Sequence, residues 1–217
     1  MNPCVFCSQI NGGSARAPWN QAILESENFL VVPSLGSLVA GWTLLLPKRH
    51  YLSMGALPSD LRNEAESLQS KVECLLRSQF DEPLVAFEHG PSAAKHGTGC
   101  GVDHAHLHIL PLACELLVLA SPFVPYGTEW KPAGWEERAV AYKSGLDYLF
   151  LKQDDCPGVI SVARDFGSQV FRKAIAAHLG KPHEFNWREH PRHEVALQTT
   201  ARLRSKRVQT HNECEYA

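Results

Sequence analysis

The sequence predicts an α+β fold built on an antiparallel sheet. Three observations point to it. His104, His106 and His108 alternate with Ala105, Leu107 and Ile109, the period-two pattern of a strand with one buried face. Residues 58–79 carry Leu61, Ala65, Leu68, Val72 and Leu75 at the spacing of one helix face. The elements around them run β-β-β-α-β-loop-β with short connections, an order suited to hairpins and one packed helix.

In order, the chain opens on Cys4-Val-Phe-Cys7. This Cys-x-x-Cys reads as a redox pair, as half of a zinc site, or as two ordinary thiols. No βαβ pattern surrounds it to favour the redox reading. Residues 22–25 and 29–33 are short apolar strands joined by a turn at Ser26, Glu27 and Asn28. A Gly-containing loop over 34–41 leads to an apolar strand that Pro47 ends. Helix 58–79 has Pro58 and Asp60 in its first turn, and Pro83 closes the element. Residues 84–90 form the next strand, and 91–99 a loop of small residues before the histidine strand.

Beyond Leu112 the pattern changes, and an extension over residues 121–217 is expected to follow a domain at 1–120. Residues 121–134, rich in proline and glycine, read as an irregular connector. Residues 147–152 and 159–162 are a candidate strand pair. Residues 168–179 read as a helix with Ser168 as N-cap and Gly180 and Pro182 as its stop. Residues 191–203 are a further candidate helix, and the basic tail 202–207 is expected to fray.

A chain of 217 residues, 44% apolar, can bury a real core. Its net charge of −2 gives no general pull toward nucleic acid or membrane. No apolar run reaches a membrane span, and the first residues lack the basic and apolar regions of a signal peptide. Seven cysteines without a secretory context do not suggest a disulfide framework. A cytoplasmic protein is expected.

The alternation places all three imidazoles on one side. A strand rises about 3.3 Å per residue, so His104 and His108 lie roughly 13 Å apart. One ion with zinc–nitrogen bonds of about 2 Å cannot take the whole row. At least one histidine is left for other chemistry.

His-Ala-His-Leu-His-Ile-Leu, following a Gly-rich turn, resembles the histidine triad (HIT) signature. The strand closing in Pro47-Lys-Arg-His50 is similar to the family's Pro-Lys-x-His. The likeness covers roughly residues 1–120. The family comprises nucleotide hydrolases and nucleotidyl transferases. It implies a HIT-like antiparallel sheet with a packed main helix, here followed by a smaller α/β extension. It implies a closed, structural Zn2+ site of Cys4, Cys7, His50 and His104 that pins the N-terminal segment to the active strand. His106 then becomes the nucleophile that forms a nucleotidyl-histidine at the α-phosphate. His108 would hydrogen-bond a phosphate oxygen or protonate the leaving group. A homodimer follows from the same likeness.

Substrate contacts are expected at Ser34, where members that bind ribose carry Asp, and in the loop before the triad. There Gly97, Gly99 and Gly101 could expose backbone N–H groups, with Ser92, Lys95 and Thr98 as side-chain candidates. Cys100 stands where many members have a Gln that positions phosphate. In the extension, Ser168, Gln169 and Arg172 cluster at a helix start and could clamp distal phosphates. The competing reading is a capped surface helix.

The expected activity is hydrolysis of a phosphoanhydride, phosphoester or phosphoramidate bond at the α-phosphate of a small nucleotide. The alternatives are a nucleotidyl transferase or phosphorylase, and a protein that binds nucleotide without catalysis. Action on nucleic-acid ends is disfavoured by the charge of −2, and no membrane partner is expected.

Overall fold

The computed structural model describes residues 4–11, 17, 20–94, 97–164 and 166–207, with side chains as far as 205. Lys95, a candidate phosphate contact, lies outside the described residues.

A short helix α1 (Val5–Ile10) precedes strands β1 (Leu24–Glu25), β2 (Phe29–Pro33) and β3 (Thr43–Pro47). The main helix α2 (Ser59–Arg77) leads to β4 (Leu84–Gly90) and β5 (Leu107–Pro111). The rest comprises α3 (Leu116–Ala120), β6 (Lys131–Pro132), α4 (Trp135–Lys143), β7 (Asp147–Gln153), β8 (Val159–Ala163), α5 (Val170–His178) and α6 (His193–Arg207). The strands form one antiparallel sheet in the order β1-β2-β3-β5-β4-β7-β8-β6. The strand pair expected in the extension therefore joins the sheet of the first half, through β7 on β4.

Helix α2 buries Ala65, Leu68, Val72, Leu75 and Leu76 against Val31, Leu45, Ala86, Leu107 and Ile109 on one face of the sheet. Ala105 belongs to the same cluster. The opposite face carries Trp42, Val85, Phe87, Leu110, Leu149 and Leu151, and α5 covers it with Phe171, Ala174 and Ile175. Each large apolar side chain buried here contributes about 1.5–3 kcal/mol. With both faces covered, β4 is buried along its whole length. The alternation that sends Ala105, Leu107 and Ile109 toward α2 sends the three histidines toward the α5 side.

Several sequence expectations need adjustment. Regular pairing in the histidine stretch starts only at Leu107. Just before it, His104 N–H turns back to the Val102 carbonyl and Ala105 N–H to that of Tyr51. Ser168 does not cap α5; Gln169 takes the N-cap place at φ 59°, and Ser168 Oγ donates to the Gly99 carbonyl. Nor is α5 a surface helix, since Val170, Phe171, Arg172, Ala174, Ile175 and Ala176 are all buried. The basic tail continues α6 instead of fraying at 202, because Arg202 stacks on Phe80 and Arg204 donates to the Ala22 carbonyl. No helix among the described residues is long and apolar enough to cross a membrane.

The β4–β7 pairing carries a prediction. A fragment ending at Leu119 would bare the pairing edge of β4, from Val85 to Gly90, and strip α5 from Phe87. Exposed apolar edges template association. The fragment should be recovered as aggregate on gel filtration; a monodisperse folded fragment would show that the first half is stable by itself.

Candidate active site and metal centre

The row of histidines divides into two neighbourhoods. At one end His104 faces the Cys-x-x-Cys of α1. Cys4 Sγ lies 3.5 Å from His104 Nδ1, Cys7 Sγ 3.6 Å from the same nitrogen, and Cys7 Sγ 3.4 Å from His50 Nδ1. All four donor atoms lie within 4.8 Å of one another. Tetrahedral zinc with bonds of about 2.3 Å to sulfur and about 2.05 Å to nitrogen sets those atoms roughly 3.6 Å apart. The donor set therefore fits zinc in type, number and spacing. His104 Nε2–H donates to the Pro47 carbonyl at 2.8 Å, which leaves Nδ1 bare toward the sulfurs. Burial, with Cys4 next to it, pushes the Cys7 thiol up to about 11, and burial holds His104 down to about 4. A cation among these groups would favour the Cys7 thiolate that its surroundings otherwise oppose.

His106 comes next. It is 7% exposed, and its Nδ1–H donates to the His104 carbonyl at 2.7 Å. A carbonyl can only accept, so the proton sits on Nδ1 and Nε2 keeps its lone pair. Burial lowers the pKa of His106, with the field of Arg172 acting in the same direction, and this favours the neutral ring.

His108 has a different tautomer. Trp42 Nε1–H donates to its Nδ1 at 2.9 Å, and an indole nitrogen can only donate. Neutral His108 therefore carries its proton on Nε2, which lies 3.3 Å from Cys100 Sγ. His89 approaches the same sulfur with Nδ1 at 3.1 Å, while its Nε2 accepts from the Phe171 backbone N–H. Both imidazoles are thus fixed with N–H aimed at Cys100. His89, Cys100 and His108 also lie close enough together for a metal, but binding one would require stripping both rings to imidazolate. We read this trio as a hydrogen-bonded hub. Burial holds His89 down to about 3 and pushes Cys100 up to about 12, so both are uncharged.

The Trp42 bond gives a prediction of its own. Trp42→Phe leaves His108 Nδ1 buried and unpaired, a loss of about 1–3 kcal/mol. Nitrogen NMR of the imidazoles should show His108 as the Nε2–H form in the wild type and a mixture of tautomers in the variant. An unchanged spectrum would mean that Trp42 does not set the tautomer.

His106 and His108, with ring centroids 4.9 Å apart, open into a cleft. Val5, Phe6 and Gln9 of α1 form one wall, Ser34, Leu35 and Leu44 another, and Arg172 and Trp187 of the extension a third. The extension also ties down the loops that carry the site. Trp187 Nε1–H donates to the Cys100 carbonyl at 2.8 Å, Arg188 reaches the Gly101 carbonyl, and Gly36 N–H reaches the Pro191 carbonyl at 2.7 Å.

Of the residues expected from sequence, His106, His108, Ser34 and Arg172 meet at this cleft, and Cys4, Cys7, His50 and His104 meet beside it. Thr98, Gly99, Ser168 and Gln169 are not among its lining residues. Thr98 Oγ1 accepts from Phe166 N–H, and the Gly99 carbonyl accepts from both Ser168 and Gln169. They join the triad loop to α5. Sequence reasoning missed the part played by Trp42, His89, Trp187 and the wall formed by α1.

No family model matches the chain. An uncharacterized HIT-like protein of Methanocaldococcus jannaschii is 30% identical over 109 residues, 50% of this chain and 78% of the relative. Protein hit of Bacillus subtilis is 27% identical over 108 residues, 50% of this chain and 70% of that protein. Among solved structures, a HIT family protein from Bacillus anthracis is 24% identical with a TM-score of 0.43, covering 52% of this chain and 76% of that one. A Zn-bound histidine triad family protein from Mycobacterium smegmatis is 21% identical with a TM-score of 0.41, covering 66% of this chain and 92% of that one. The chain belongs to the histidine triad family. Membership ties it in general terms to nucleotide binding and HIT-type activity.

Proposed function

We propose that this chain is a nucleotide hydrolase acting at the α-phosphate through a covalent nucleotidyl group on His106. The observation that carries the reading is the bond from His106 Nδ1–H to the His104 carbonyl, which leaves the Nε2 lone pair free on a buried, neutral ring that lines the cleft. Nε2 bonds to phosphorus as the bond from phosphorus to the leaving group breaks. Water then attacks the adduct; its oxygen bonds to phosphorus, the nitrogen–phosphorus pair returns to Nε2, and a proton passes to solvent. His108, whose Nε2–H points to Cys100, would exchange that sulfur for a phosphate oxygen when substrate enters, and so serve as a hydrogen-bond donor. It is not suited to protonate the leaving group. With Nδ1 accepting from Trp42, loss of the Nε2 proton would leave an imidazolate.

Zinc held by Cys4, Cys7, His50 and His104 would supply structure and no chemistry, because four protein ligands close the tetrahedron. Ser34 lines the cleft and is the ribose contact in this reading. Residues 121–217 complete the pocket and supply no nucleophile. The protein is proposed to act as a cytoplasmic homodimer, which sedimentation would test. The test of activity is a panel of adenine, guanine and pyrimidine nucleotides incubated with and without phosphate, with products identified by mass. Nucleoside monophosphate formed without added phosphate is expected. Products that require phosphate would make the enzyme a transferase, and no product would leave a binding protein.

A further inference from the structure

We propose that Arg172 is the receptor for an anionic leaving group, so that the bond cleaved is a phosphoanhydride and the departing group a phosphate. The inference rests on the proposed chemistry at His106 and names its substrate class.

The first observation is a buried cation without a counter-ion. Arg172 is 1% exposed and stacks on Trp42, with Cζ 4.8 Å from the ring centroid. Its Nε donates to the Phe185 carbonyl at 2.9 Å and its Nη2 to the Gly36 carbonyl at 2.5 Å. No carboxylate pairs with it, and no hydrogen bond engages Nη1, among the described residues. Two carbonyl dipoles offset only part of the cost of burying a charge. Burial pulls the guanidinium down to about 10, as expected of a cation lacking its partner. An anion entering the cleft would complete the set.

The position is built for this. Gly36 adopts φ +67°, and a Cβ there would come within 2.8 Å of Arg172 Nη2 and 2.5 Å of Trp187 Cβ. Glycine lets the 34–37 loop close on the guanidinium. Trp42 touches both Arg172 and His108, the latter with ring centroids 5.7 Å apart. The guanidinium therefore lies toward the His108 end of the row, away from the Cys4 and Cys7 cluster.

The second observation concerns the proton. An amine or alkoxide leaving group needs one, and His108 cannot give up its single proton, on Nε2, without becoming an imidazolate while Nδ1 accepts from Trp42. A phosphate needs none. As the bond from His106 Nε2 to phosphorus forms, the bridging P–O bond breaks, and the oxygen keeps the electron pair and departs as phosphate beside Arg172.

Binding separates this idea from catalysis. Calorimetry would compare a nucleoside monophosphate with the corresponding diphosphate bearing an uncleavable methylene bridge. The wild type should bind the second at least about tenfold tighter, the scale of hydrogen bonds to a charged group. Arg172→Gln should lose most of that gain, and Arg172→Lys part of it. Equal wild-type affinities for the two ligands would overturn the proposal, even where the Gln variant does not fold. So would a gain that survives in folded Arg172→Gln. In turnover, the ratio of kcat/KM for a phosphoanhydride over a nucleoside phosphoramidate should fall in Arg172→Gln; equal losses on both would also overturn it. Should the binding pattern hold without turnover, the reading at His106 fails while the anion site stands.

Discussion

Replacing His106 by asparagine is expected to abolish turnover, by more than about 10⁴-fold in kcat, because removing an attacking group closes the two-step route. Asparagine keeps a hydrogen-bonding group near the His104 carbonyl but has no ring nitrogen to attack. Nucleotide affinity should change little, since the lost interaction exists only in the transition state. His108→Asn should be milder, on the order of 10²–10³-fold, the scale of one donor to a developing charge. Steady-state kinetics and equilibrium titration on the same preparations check both. Near-normal turnover in His106→Asn would contradict the covalent route outright.

The second large effect is expected at the metal centre. Cys4→Ser should lower zinc from about one per chain to a small fraction of that, and losing ligand energy worth some 2–3 kcal/mol would lower Tm by about 5–10 °C. Helix α1 should suffer first. It is six residues long, buries none of its side chains and has no side-chain cap, so it depends on Cys4 and Cys7 for its place. Because Val5, Phe6 and Gln9 line the cleft, its release should also weaken nucleotide binding. Elemental analysis, calorimetry and hydrogen exchange over residues 4–11 would follow the three effects. A metal-free protein with the same Tm would contradict the assignment.

The legible features of the site were the local ones. The histidine alternation is a period-two signal carried by six consecutive residues, and Cys4, Cys7 and His50 are marked by short spacing motifs. The main helix declared itself through Leu61 to Leu75. Arg172 was harder to place. Its neighbours Val170, Phe171, Ala174 and Ile175 showed that α5 had an apolar face, yet a charged side chain beside them reads as solvated. It is buried because the 34–37 loop and the segment around Phe185 close over it, contacts that span up to 136 positions. Trp42 read as one more apolar strand residue. Its role comes from register, since Leu44 and Phe87 both oppose His108 and bring the neighbouring indole within reach of Nδ1. Cys100 was legible as a departure from the family pattern, and only the fold brings His89 to it.

The most direct test of the central claim uses a nucleotide substrate whose α-phosphorus is made chiral by sulfur, hydrolysed in heavy-oxygen water. Two successive in-line displacements, the first by His106 and the second by water, predict retention of configuration at phosphorus. Inversion would mean a single displacement by water and would contradict the account.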